Sequence, residues 1–116
     1  MQLPREAILL RIFFGENDQV GHHPLHEAIV LKAREMHLAG ATVLRGGLGF
    51  GHSARLHTAK ILRLSEDLPL VVEIVDTQEK IDTFLPVLDS MMRSGLITLE
   101  KVQVLQYGTE MRPVPG

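Results

Sequence analysis

Glycine occupies positions 46, 47, 49 and 51 in the stretch GATVLRGGLGFG, residues 40–51. Four glycines in six residues present backbone rather than side chain. Such a loop can adopt φ > 0, admit a ligand close to the main chain and point bare N–H groups at an anion. Arg45, His52 and Arg55 stand beside Gly46, Gly47, Gly49, Phe50 and Gly51, so cationic and hydrogen-bonding side chains flank the amides. That combination holds small anions. The spacing matches no common phosphate fingerprint: Gly47-Leu48-Gly49-Phe50-Gly51 lacks the second interval of the dinucleotide motif, and no Gly-Lys-Ser/Thr follows. Glycine-dense turns also join elements without binding anything, so the flanking residues carry the reading.

The histidines give weaker chemistry. His22, His23 and His26 cluster, with His22 and His26 four apart, which could seat a transition metal. His22 and His23 fall in a turn, however, and no carboxylate is fixed beside them by spacing, so solvated surface imidazoles are the plainer reading. Ser53 and Thr58 are the hydroxyls near the glycines, with His52 and His57 as conceivable bases. Neighbours along a strand face opposite ways, and no activated nucleophile emerges. No catalytic constellation is found and the chain reads as a non-enzyme. A small histidine- or metal-dependent enzyme is the alternative.

The bulk properties bound the rest. The chain has 116 residues, which suits one domain with one core. Hydrophobic residues make up 45% and charged residues 22%, an ordinary soluble globular balance. A net charge of −2 gives no electrostatic case for nucleic acid or an anionic membrane as partner. With no cysteine there is no disulfide, thiol nucleophile or cysteine-ligated metal. No apolar run approaches a membrane span and residues 1–6 resemble no signal peptide, so a cytoplasmic location without membrane insertion is expected.

Periodicity supplies the elements that must position the loop. Ala7 to Phe14 is apolar except for Arg11, the pattern of a central strand. A polar turn follows, and Pro24 can open a helix whose buried stripe is Leu25, Ala28, Ile29, Ala33 and Met36. Gly40 would terminate it. Ala41 to Arg45 returns as a strand, completing β-α-β. His52 to Leu64 reads as an extended arm. Leu70 to Val75 is a strand, Asp76 with Glu79 three residues on predicts a capped helix start, and Ile81, Phe84, Leu85, Leu88 and Met92 form its stripe. Pro86 inside that stripe predicts a kink or break. Gly95 ends the helix and Ile97 to Tyr107 gives the last strand. Residues 108–116 read as a loose tail.

The order is β-α-β, arm, β-α-β. Two such units sharing one antiparallel sheet, with both helices on one face, make the ferredoxin-like α+β fold. The other face then carries Leu9, Phe13, Val71 and Val75 around Arg11 and Glu73. Left open, such an apolar face predicts self-association.

Gly40-Ala41-Thr42-Val43, then Gly49-Phe50-Gly51, then Val72-Glu73-Ile74-Val75 resemble the PII signalling proteins, which carry a Gly-x-Thr-Val strand, a Gly-Phe-Gly loop base and an Ile-Glu-Ile-Val strand in that order. Leu10-Arg11-Ile12, Gly40 to Gly51 and the run from Leu62 to Pro69 are similar to a narrower PII-like group, domain of unknown function 190. The likeness covers residues 7 to 107. It implies a homotrimer whose sheets face one another, with clefts between subunits that bind adenine nucleotides. By matching position, Thr42, Gly49, Phe50, Gly51 and Glu73 would contribute to the pocket. It also implies a regulated partner protein, with a membrane transporter as one candidate.

The chain departs from PII proteins in two places. Arg93-Ser94-Gly95-Leu96-Ile97 stands where they carry a Gly-Asp-Gly-Lys phosphate loop, and Leu105-Gln106-Tyr107 stands where they carry paired arginines. The phosphate count is therefore open among AMP, ADP and ATP, as is another small anion. The arm contains no tyrosine to modify. Phe13, Phe14 and Phe50 do not assemble an RNA-stacking pattern; amino-acid binding between subunits stays as a third class. The expectation is a PII-like sensor, with Thr42, Arg45, Gly46 to Gly51, His52, Arg55 and Glu73 as ligand-binding candidates.

Overall fold

The computed structural model describes residues 3–49, 57–58 and 68–111. Its spine is β1, Glu6–Gly15, whose even-numbered residues Ile8, Leu10, Ile12 and Phe14 are buried. A hairpin of β2, Gln19–Val20, and β3, His23–Pro24, turns through Gly21 at φ 60° and leads into α1, Leu25–Glu35. Leu25, Ile29 and Ala33 bury one stripe of α1. The chain then runs through β4, Thr42–Arg45, β5, Leu48–Gly49, β6, His57–Thr58, and β7, Pro69–Asp76. Helix α2, Gln78–Met91, strand β8, Leu96–Gln103, and a small hairpin of β9, Gln106–Tyr107, and β10, Glu110–Met111, complete it.

The main sheet has the order β4-β7-β1-β8, with every neighbouring pair antiparallel. Each β-α-β unit places its second strand at an edge, so the arrangement is ferredoxin-like, as the element order predicts. Both helices cover one face: Ile29 and Ala33 of α1 and Ile81, Phe84 and Leu88 of α2 share a core with Ile8, Leu10, Ile12, Leu70, Val72 and Ile74. Fully burying a side chain of that size contributes about 1.5–3 kcal/mol.

Several local expectations are corrected. The left-handed residue that terminates α1 is His37, just past the C-cap Met36, and not Gly40. His37 takes the left-handed conformation at φ 61°, its N–H donates to the Arg34 carbonyl, and the Leu38 N–H donates to the Ala33 carbonyl. These are the two bonds of a Schellman ending, and Lys80 Nζ donates to the His37 carbonyl at 2.6 Å to hold it there. Helix α2 is capped by Thr77, whose hydroxyl accepts from the Lys80 N–H, because Asp76 is the buried last residue of β7. Pro86 does not break α2, since it lies on the exposed side, where the carbonyl that it deprives of a donor can meet water. The last strand stops at Gln103, and residues 106–111 form a hairpin rather than a loose tail. The arm is seen as β6 pairing with β5; its remaining residues lie outside the described ones.

The uncovered sheet face is ordered by register. One row across all four strands reads Thr42, Glu73, Arg11, Thr98, and the next reads Leu44, Val71, Phe13, Leu96. Leu44 and Leu96, on the two edge strands, are 48% and 55% exposed, so apolar side chains at both margins face outward.

Candidate functional site

The chain reaches β4 through the loop from Leu38 to Ala41, and two hydrogen bonds at Ala39 tie that loop to distant residues. The Ala39 N–H donates to Asp76 Oδ2 at 2.7 Å, and the Ala39 carbonyl accepts from the Tyr107 hydroxyl at 2.8 Å. Asp76 is fully buried; its other oxygen accepts from the Thr77 N–H at 2.7 Å, which satisfies the carboxylate. Small residues at 39–41 leave room beside the loop. There a cavity of about 210 Å³ opens on the uncovered sheet face, floored by Leu9 and Val75, walled by Ala39 to Ala41 and Tyr107, with Thr42 and Glu73 as its polar side chains.

Thr42 and Glu73 are Cα partners in the β4–β7 ladder. Two residues thirty-one apart in sequence thus present a hydroxyl and a carboxylate to one space. Glu73 Oε2 accepts from Arg11 Nε at 3.0 Å, and Arg11 Nη1 lies 3.7 Å from Glu100 Oε1. Arg11 is therefore held between two carboxylates. Among the described residues no cation lines the cavity, which offers acceptors from Glu73 and a donor-acceptor hydroxyl from Thr42.

Of the glycine-loop candidates, the described residues Arg45, Gly46, Gly47 and Gly49 are not among those that line this cavity. Arg45 projects outward and its guanidinium pairs with Glu16. The Gly46 amide is already committed to the Pro69 carbonyl at 2.7 Å, so in this conformation it cannot donate to an anion as expected. A Cβ at Gly46 would meet Pro69 Cγ at 2.8 Å, so glycine is needed there for strand packing. Gly47 is exposed, and a Cβ there would meet no described residue within 4 Å; Leu48–Gly49 pairs with His57–Thr58. Phe50, Gly51, His52 and Arg55 lie outside the described residues.

His22 and His23 are exposed, and no group of three metal-ligating side chains forms among the described residues. His23 and His26 instead line a larger groove of about 580 Å³, with Val30, Leu31 and Val43, between α1 and the β4 edge. Buried His26 Nδ1 has no hydrogen-bond partner among the described residues. That groove is mostly aliphatic, whereas the smaller cavity brings two sequence candidates together. Sequence reasoning missed Tyr107 and the Ala39 loop there. The signal available was slight: a lone tyrosine near the end of the chain and a run of small residues before Thr42.

The DUF190 family model, described as an uncharacterized ACR, matches residues 7–104. The chain belongs to the DUF190 family. A UPF0166 protein of Aquifex aeolicus (strain VF5) is 40% identical over 97 residues, covering 84% of this chain and 91% of the relative. A UPF0166 protein of Methanocaldococcus jannaschii is 31% identical over 105 residues, covering 90% and 96%. Among solved structures, CPII, a nitrogen regulatory PII-like protein from Thiomonas intermedia K12 bound to ADP, AMP and bicarbonate, superposes with a TM-score of 0.56 at 16% identity, over 85% of this chain and 88% of that one. A second CPII structure, bound to ADP and bicarbonate, gives 0.54 at 18%. The DUF190 chain thus has a PII-like fold, as its resemblance to PII proteins implies.

Proposed function

We propose that this protein is a PII-like sensor that binds an adenine nucleotide or a related small anion and, through it, regulates a partner protein. The observation that carries the reading is the Thr42–Glu73 cavity, at the margin of an open apolar sheet face in a fold shared with CPII, which is bound to ADP and AMP. The nucleoside end has acceptors waiting for it. Its phosphates reach out of the cavity toward a neighbouring copy or the residues after Gly47.

The assembly is a homotrimer. Leu9, Phe13, Val71 and Val75, with Leu44 and Leu96 at the margins, make the face that a second copy would cover. The protein works by binding and not by turnover, in the cytoplasm. No helix among the described residues is long and apolar enough to cross a membrane, so a membrane transporter would be met as a partner.

A thermal-shift screen with AMP, ADP, ATP and a cyclic nucleotide tests this. Ligand at a hundred times its Kd stabilises by about 2.7 kcal/mol, and a domain of this size gains about 4 °C per kcal/mol. A shift of about 10 °C is expected with one of them. No shift with any, together with a monomer by light scattering, overturns the reading.

A further inference from the structure

Tyr107 is the chain's single tyrosine, and there is no tryptophan. It sits on the C-terminal hairpin, 37% exposed, and lines the same cavity as Thr42 and Glu73. Its hydroxyl proton is spent on the Ala39 carbonyl, while the Ala39 amide is spent on buried Asp76. What Tyr107 retains for a ligand is the carbon surface of its ring and the acceptor side of its hydroxyl oxygen.

The size of the cavity and the charge on its lining decide which part of a ligand that surface would meet. A cavity of about 210 Å³ is smaller than the ~300–1,000 Å³ that encloses a whole drug-sized molecule, so it takes one end of a nucleotide. Glu73 is the charged side chain lining it, and a carboxylate repels phosphate while accepting from hydroxyl or amino groups. We propose that Tyr107 is a ligand-contacting, specificity-determining wall of this cavity: its ring packs against the uncharged nucleoside end of the ligand while Thr42 and Glu73 take that end's polar groups. The inference rests on the nucleotide-binding reading and adds to it a residue and an orientation.

The full-length chain carrying 13C-labelled tyrosine gives one ring resonance set, which reports this site alone. Titration with ADP and with adenosine is expected to move it saturably, and inorganic pyrophosphate to leave it in place. Tyr107→Phe, which keeps the ring and loses the tie to Ala39, is expected to hold ADP affinity within about threefold. Tyr107→Leu is expected to lose tenfold or more while melting within a few degrees of Tyr107→Phe. Were the residue merely a fastening for the loop, both variants would lose affinity equally, and that result overturns the proposal. So does ADP that stabilises the protein without moving the ring signal. If ADP and adenosine neither stabilise the protein nor shift any resonance, the nucleotide reading itself fails and this inference falls with it.

Discussion

Arg11 and Glu73 face each other across the two central strands, Nε to Oε2 at 3.0 Å, in a sheet face whose other positions are largely Leu, Val and Phe. Both are about a third exposed, so their attraction is screened and contributes little to the lone protomer, about 0.2–1 kcal/mol. Covered by another copy, the same charges lose water, and an unmatched carboxylate there costs several kcal/mol. Arg11→Glu would put a third carboxylate beside Glu73 and Glu100. The variant is expected to keep its circular dichroism spectrum and to run as a monomer in light scattering; a variant that still assembles contradicts closure over this face.

Glu73 serves two neighbours, Arg11 and the cavity, so its amide tests the cavity separately. Glu73→Gln removes the charge and keeps an acceptor, and is expected to weaken ADP or AMP binding about tenfold by calorimetry. Thr42→Val removes one neutral hydrogen bond, worth about 0.5–1.5 kcal/mol, and should weaken it about two- to tenfold. If neither substitution changes affinity, the ligand is held elsewhere.

Much of this architecture can be read along the chain, because β1, β7 and the two helices declare themselves through periodicity within their own length. What cannot be read is set by contacts between distant residues. Gly40 looks like the stop of α1, yet the left-handed stop is His37, three residues earlier, because Leu38 has a core to enter and Lys80 holds the His37 carbonyl. Asp76 looks like an N-cap, yet one of its oxygens is claimed by Ala39 from across the fold, leaving Thr77 to cap α2. Thr42 and Glu73 are each visible, but the β4–β7 register makes them a pair. The Gly46 amide looks free to meet an anion until strand pairing gives it to Pro69.

The Asp76 carboxylate is wholly buried and satisfied by two backbone N–H groups. Truncating it strands both donors, and each buried unsatisfied group costs about 1–3 kcal/mol. Asp76→Ala is expected to lower stability by at least about 2 kcal/mol in urea unfolding. It should also loosen the Ala39 loop, seen as faster amide exchange at Ala39 and Gly40. Unchanged stability would mean that water replaces the carboxylate there.

Gly46 and Gly47 are adjacent and chemically identical, but the fold treats them differently. A methyl group at Gly46 would press on the Pro69 ring at 2.8 Å and disturb the strand end where Gly46 N–H bonds to the Pro69 carbonyl; at Gly47 it would meet no described residue within 4 Å. Overpacking costs about 1–3 kcal/mol, while an unobstructed surface change stays within about 0.5 kcal/mol. Gly46→Ala is therefore expected to lower the melting temperature by several degrees and Gly47→Ala to leave it in place. Should Gly47→Ala instead abolish ADP binding at unchanged stability, a ligand approaches the main chain there, and the anion contact lies two residues beyond β4.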